Sequence, residues 1–202
     1  IHILAEQVPV HDVIAIRTLA EGKVNILGPS SIGYLQFPAF RLGFLGGENP
    51  FPLLQEGSVG IVSTSGGMAN ELLMSMSRAG IGIRLALAVG GDRIPGLSLL
   101  EALQWAEVQP DISVLAVFVE PGNPLLQALR QQRVTSKKPL VLFLAGDALD
   151  LLPRGVPYGH TGTLLDDTDL SVAQTRTELT RVGITCVQSV EDCVEYCKRY
   201  AN

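Results

Sequence analysis

His160 stands between two glycines in a loop-like stretch of the sequence, PRGVPYGHTGTLLDD at residues 153–167. Two prolines lie just upstream, and Gly159 and Gly162 would let the backbone approach a ligand closely. An imidazole nitrogen can attack phosphorus as a nucleophile when a partner group holds the other ring nitrogen. His160 is therefore a candidate phosphoryl carrier, although a loop histidine without a function fits this residue alone equally well.

A carboxylate that could serve as this partner group follows a continuous apolar run. Glu120 comes directly after ISVLAVFV at 112–119, which is typical of a buried strand. A carboxylate that accepts the imidazole N–H fixes the tautomer and stabilises the cation, as the acid of a catalytic triad does. The alternative is a solvated loop charge.

A candidate anion site lies in STSGGMANE at 63–71, where an apolar run ends and a helical pattern begins. Ser65 is placed to cap the helix, and the N–H groups of Gly66 and Gly67 would be free at its start. Such N–H groups and the positive end of the helix dipole favour a bound anion. The alternative is an ordinary helix cap whose glycines allow tight packing. No lysine follows, so the stretch is not a nucleotide P-loop.

The elements that must position these groups alternate between strands and helices. Continuous apolar runs, typical of strands buried on both faces, occur at 58–65, 83–91, 112–119, 139–146 and 184–188. Helical patterns separate them. The sequence therefore predicts a flavodoxin-like doubly wound parallel sheet over residues 56–202, with the candidate residues at its carboxyl edge.

Residues 1–55 contain too few elements for a core of their own. They are predicted to form a strand at 1–5, a helix at 10–22, a strand at 24–28 and a Gly- and Pro-rich connector at 29–52 with one or two short strands. This segment is interpreted as the C-terminal part of another α/β domain. Because unpaired strand edges rarely stay bare, we expect contact with another chain or with more of the same polypeptide.

Composition restricts the class of protein. The chain is 47% hydrophobic and 17% charged, with a formal net charge of −5, which indicates a compact fold rather than disorder. The sequence has no long basic run and no apolar stretch of membrane-spanning length, so neither nucleic acid nor a membrane is an expected partner. Three cysteines without a CxxC motif fit reduced thiols in the cytoplasm.

A metal pair at Cys193 and Cys197 is conceivable from their spacing, but a second ligand pair is missing. Both are predicted to be core thiols, and no metal site is predicted.

Five short motifs occur in a fixed order along the whole chain: EQVP at 6–9, GPSSIG at 28–33, STSG at 63–66, AVGGDRIPG at 88–96 and GHTG at 159–162. Together they resemble the ligase part of the nucleoside-triphosphate-dependent acyl-CoA synthetases, the family of succinyl-CoA synthetase α subunits and ATP-citrate lyases. The resemblance implies an ATP-dependent acid–CoA ligase that works through a phosphohistidine. It also implies that residues 1–55 are the end of a Rossmann-like CoA-binding domain.

The resemblance assigns roles residue by residue. His160 would carry the phosphoryl group and Glu120 would hold its imidazole. Phosphoryl oxygens would be bound by Ser65, Gly66 and Gly67, and the CoA and substrate end would lie near Glu6, Ser30 and Ser31. CoA and a small carboxylic acid would be the ligands, while ATP and Mg²⁺ would bind mainly to an ATP-grasp partner, either a separate subunit or part of a longer chain.

The sequence departs from the family at several positions. The family's GEIGG reads VEPGN at 119–123, the cysteine of GPNCPG is Ser31, and the arginine of SRSG is Thr64. The family's first CoA-binding strands would precede Ile1. These differences leave a second interpretation open, a non-catalytic binding or regulatory paralogue that keeps the fold.

Overall fold

The computed structural model describes residues 1–38, 40–132, 134–153, 155 and 169–201. The α-helices in this part of the chain are α1 (Val10–Ala20), α2 (Gly66–Arg78), α3 (Leu99–Glu107), α4 (Pro124–Arg130), α5 (Val172–Arg181) and α6 (Val190–Lys198). The strands are β1 (Gly33–Gln36), β2 (Phe40–Gly43), β3 (Glu56–Ser63), β4 (Ile83–Ala88), β5 (Val114–Val119), β6 (Leu140–Leu144) and β7 (Thr185–Val187). Short 3₁₀ helices occupy Phe51–Leu53 and Asp147–Leu151.

The described strands form one sheet in the order β2-β1-β4-β3-β5-β6-β7. From β4 to β7 all neighbours are parallel. This part has the strand order 2-1-3-4-5 of flavodoxin-like folds, so the predicted fold class is confirmed.

Helices cover both faces of the sheet, which explains why its strands are continuous apolar runs. All six residues of β5 are buried. Leu115, Val117 and Val119 pack in the core under α3, α4 and α5. The intervening Val114, Ala116 and Phe118 pack in the core under α2 and α6. A strand with two buried faces therefore carries mostly apolar side chains.

The N-terminal region differs from its prediction in two ways. The strands predicted at 1–5 and 24–28 reduce to a single parallel bridge between His2 and Leu27. In the connector, two short strands form as expected, but the hairpin of β1 and β2 adds antiparallel to β4 and extends the sheet. The hairpin joins because Leu35 is fully buried in the core beside β4. A division of the chain into residues 1–55 and 56–202 stays a prediction.

Candidate functional site

The predicted anion site and Glu120 follow neighbouring strands, β3 and β5, at the point where the winding of the sheet reverses. From β3 the chain returns to β4 on one side, while β5 lies on the other side. Loops that leave the two strands diverge here and open a crevice, which is the usual ligand position in such sheets. The N–H of Thr64 donates to the carbonyl oxygen of Phe118 at 3.2 Å and joins the two strand ends.

The start of α2 is held by a short network of serine hydroxyls. Ser65 is the N-cap, and its Oγ accepts a 3.4 Å hydrogen bond from the N–H of Met68. The buried Oγ of Ser63 donates to the carbonyl oxygen of Ser65 at 2.7 Å and accepts from the N–H of Ser65 at 3.0 Å. The cap predicted at Ser65 is confirmed, and the turn before it is closed by two further bonds.

The two glycines that open α2 differ in the space around them. A Cβ atom on Gly66 would lie 2.8 Å from side-chain carbons of Ile32, so packing leaves no room for one. On Gly67 the nearest atom would be the Oγ of Ser65 at 3.9 Å, so a side chain would fit. Neither N–H group donates to an acceptor in the described part of the chain. The helix start therefore offers two unpaired donors, one on buried Gly66 and one on exposed Gly67.

A cleft of about 560 Å³ lies at the carboxyl ends of β3, β4 and β5. Its lining comes from Thr64, from the β4–α3 loop and the first turn of α3 between Val89 and Leu100, and from Glu120 to Leu125, with Arg17 and Asp169 at its border. Glu120 is half-buried at the mouth of β5. Its predicted partner His160 lies outside the described residues, as do Gly159 and Gly162, so the pairing of His160 with Glu120 stays a prediction.

The sequence did not identify three of the residues that line the cleft, which are Thr64, Asp92 and Arg93. Asp92 and Arg93 belong to the AVGGDRIPG motif and lie in the loop that follows β4. The signal that could have identified them is their position just after an apolar run, the same signal that identified Glu120.

Ser30 and Ser31 lie on a loop that packs against the β4–α3 loop. Ser31 is fully buried, and its Oγ donates to the carbonyl oxygen of Ala88 at 2.6 Å and accepts from the N–H of Gly33 at 3.0 Å. The hydroxyl of Ser30 is bonded to Asp92 at 2.7 Å. Ser31 thus holds the loop in place, whereas half-buried Ser30 lies at the border of the cleft.

Glu6 is exposed and lies in the same region as these serines. The carbonyl oxygen of its neighbour Ala5 accepts a 2.9 Å hydrogen bond from the N–H of Ser30. The structure therefore brings together the three residues predicted to lie near CoA. Their binding role remains a prediction.

The N-terminus of α3 borders the cleft and carries a full capping box of Ser98 and Glu101. Partial burial pushes the pKa of the Glu101 carboxyl up, but hydrogen bonds from the hydroxyl and N–H of Ser98 and the charge of Arg17 outweigh it. The pKa of Glu101 is therefore held below its ordinary value. The ionised form of this side chain stabilises the helix that forms one wall of the cleft.

Cys193 and Cys197 are fully buried on α6, as predicted for core thiols. Their mutual hydrogen bond and their burial raise the pKa of the Cys193 thiol. Within the described ranges, no group of three or more His, Cys, Asp or Glu side chains is arranged to hold a metal ion. None of the described helices combines the length and apolar character needed to cross a membrane.

Comparison with known proteins gives a consistent result. The family model described as succinyl-CoA ligase like flavodoxin domain matches residues 56–199. A probable ATP-citrate synthase of Dictyostelium discoideum is 30% identical over 200 residues, which is 94% of this chain and 32% of that protein. An ATP-citrate synthase beta chain of Arabidopsis thaliana is 35% identical over 171 residues, covering 79% of this chain and 28% of that protein.

Among solved structures, the chain is similar to ATP citrate lyase from Methanothrix soehngenii, determined in complex with citrate and coenzyme A. The TM-score is 0.85 at 29% identity, and the match covers 98% of this chain and 33% of that chain. A dinucleotide-forming acetyl-coenzyme A synthetase from Ca. Korarchaeum cryptofilum shares the fold, with a TM-score of 0.69 at 21% identity. This chain spans about a third of the length of the first relatives it matches.

Proposed function

Because the chain belongs to the family of succinyl-CoA ligase-like flavodoxin domains, we propose that it is part of an ATP-dependent acid–CoA ligase of the ATP-citrate lyase type. The proposed reaction runs through a phosphohistidine at His160. The observation that carries the proposal is the crevice between β3 and β5, where the free N–H groups of α2 and the Glu120 side chain occupy neighbouring strand ends.

The proposed chemistry has three steps. A ring nitrogen of His160 attacks the terminal phosphorus of ATP, the phosphorus–oxygen bond to ADP breaks, and ADP leaves. A carboxylate oxygen of the acid then takes the phosphoryl group from His160 to form an acyl phosphate. Finally, the CoA thiolate attacks the acyl carbon, and phosphate leaves as the thioester forms.

The described residues supply positioning and charge stabilisation to these steps. The start of α2, with Ser65, Gly66 and Gly67, stabilises the negative charge of the phosphoryl oxygens through N–H donors and the helix dipole. Glu120 orients the imidazole and stabilises its cationic form. Glu6 and Ser30 contribute to the CoA and acyl end, while buried Ser31 holds their loop.

The remaining parts of the machinery are proposed to lie in a partner. ATP and Mg²⁺ would bind to an ATP-grasp subunit or domain, and residues 1–55 would complete a Rossmann-like CoA-binding domain together with further chain. In support, the ATP-citrate synthase relatives that match along nearly the whole chain are about three times as long as this chain. The cytoplasm is the proposed location.

Phosphorylation of His160 is the direct test. The 202-residue chain is mixed with an ATP-grasp partner, Mg²⁺ and ATP labelled at its terminal phosphate, and we expect label that survives base and is lost in acid. The substitution His160→Ala should abolish the label. His11→Ala is the matched control, because that imidazole is 82% exposed on α1 and should be dispensable.

A second candidate function is a binding or regulatory paralogue without turnover. It is favoured by the loop after β5, which reads Pro121, Gly122 and Asn123 where the family carries Ile-Gly-Gly. If the wild-type chain takes no label while a related subunit does so with the same partner, the regulatory function replaces the enzymatic one.

A further inference from the structure

The hydroxyl of Thr64 is buried and has no hydrogen-bond partner in the part of the chain that the structure describes. Thr64 is 3% exposed, and its Oγ1 is one of few described side-chain atoms that are both buried and unpaired. The hydroxyls on either side of it differ, because those of Ser63 and Ser65 both form hydrogen bonds. Of these three consecutive hydroxyls, only that of Thr64 is unpaired.

An unpaired buried hydroxyl lowers the stability of the folded chain, and native proteins contain few of them. A valine has nearly the same shape and would avoid this cost. A hydroxyl at such a position is explained when a ligand provides the missing partner in the functional state. The location of Thr64 then indicates the chemistry of that ligand.

Two kinds of unpaired donor follow one another along the chain after β3. Thr64 lines the cleft and directly precedes Ser65, the N-cap of α2. The N–H groups of Gly66 and Gly67 follow, without acceptors in the described ranges. The backbone N–H of Thr64 is itself used by Phe118, which fixes the residue between β3 and β5. A ligand that pairs with the Thr64 hydroxyl and with the two glycine N–H groups must present several acceptor oxygens, and the positive end of the helix dipole favours a negative charge on it.

We propose that the hydroxyl of Thr64 donates a hydrogen bond to a phosphoryl oxygen bound at the start of α2. This inference rests on the proposed function and deepens it, since it adds a residue to the proposed phosphoryl site. The hydroxyl is unpaired when the site is empty and paired when the anion is present. Anion binding then removes the cost of the unpaired group, and the chain is biased toward the bound state.

The first measurement concerns the stability of the 202-residue chain in denaturant without phosphate. Thr64→Val should leave the midpoint of unfolding unchanged or raise it, because a hydroxyl without a partner is lost. Ser63→Ala is the matched control. It removes a neighbouring buried hydroxyl with two bonds and should lower the midpoint. A Thr64→Val midpoint that falls as far as that of Ser63→Ala would show that the hydroxyl is already paired and would overturn the proposal.

The second measurement uses inorganic phosphate as the probe, titrated calorimetrically into the same chain. Loss of a hydrogen bond to a charged group should weaken phosphate binding about 10- to 100-fold in Thr64→Val. Thr64→Ser keeps the hydroxyl and should bind phosphate nearly as the wild type does. Equal binding by wild type and Thr64→Val, or no binding by the wild type, would refute the role of Thr64.

Failure of this inference and failure of the proposed function have different signatures. If His160 takes label and Thr64→Val takes it at the wild-type rate, the function stands and the role of Thr64 is refuted. If the wild type takes no label but binds phosphate through Thr64, the anion site stands and the phosphohistidine is refuted.

Discussion

The hydroxyl of Ser30 donates a 2.7 Å hydrogen bond to the carboxylate of Asp92, across 62 positions of the sequence. The same two loops touch along their backbones, because Gly90 packs directly against the carbonyl oxygen of Pro29. The loop that resembles a CoA-binding motif and the loop that borders the cleft therefore form one structural unit. A substitution that displaces either loop should therefore displace the other.

Gly90→Ala should separate the two loops. Gly90 has a φ of +101°, and a Cβ atom there would overlap the carbonyl oxygen of Pro29. We expect a loss of about 3 kcal/mol or more in the free energy of unfolding, since both strain and overlap act. Gly80→Ala is the matched control. Its φ of +72° is similar but no atom lies within 4 Å, so about 1–2 kcal/mol should be lost. Equal losses would show that the loop contact is unimportant.

Glu120→Gln should slow the phosphorylation of His160 on the order of 10²-fold or more, by analogy with loss of the orienting acid in a Ser-His-Asp triad. The amide keeps the shape of the side chain but loses the charge that stabilises an imidazolium. The rate of label uptake in single turnover measures the effect. Glu195→Gln, on the exposed surface of α6, serves as the control and should label normally. A normal rate for Glu120→Gln would remove this carboxylate from the mechanism.

The two glycines of α2 should respond to alanine in opposite ways. Gly66→Ala should destabilise the chain by about 1–3 kcal/mol, because its methyl would press on Ile32. Gly67→Ala should be neutral or stabilising by up to about 1 kcal/mol, since the site is open and alanine favours helix. Denaturant unfolding measures both. If Gly67→Ala also slows labelling of His160 while stability is kept, the open helix start serves the chemistry.

The capping box of α3 should make part of the stability depend on pH. The folded pKa of Glu101 lies below its ordinary value, so its contribution is present above the unfolded pKa of about 4.3 and is lost as pH falls through the folded pKa. Ser98→Ala should cost about 1 kcal/mol at neutral pH and less in acid. The matched control is the capping box of α5, where uncharged Gln174 replaces the acid. The cost of Ser171→Ala should not change over the same range.

The elements of the sheet domain could be predicted from local patterns. Continuous apolar runs such as that ending at Val119 identify strands with two buried faces, and Ser65, Ser98 and Ser189 mark helix starts by their hydrogen-bonding chemistry. Both signals act within a few residues of the chain. The position of Glu120 just beyond a strand followed from the same reasoning, because parallel strands end at one edge of a sheet.

Contacts between distant segments were decided by the tertiary structure alone. The hairpin of β1 and β2 joins β4 antiparallel, and the bridge of His2 and Leu27 replaces two longer predicted strands. Local propensity carries no information about which edge a short strand pairs with. The unpaired hydroxyl of Thr64 is also a tertiary feature. Its sequence neighbours suggest an ordinary serine-rich turn, and only the folded structure shows that its Oγ1 is buried without an acceptor.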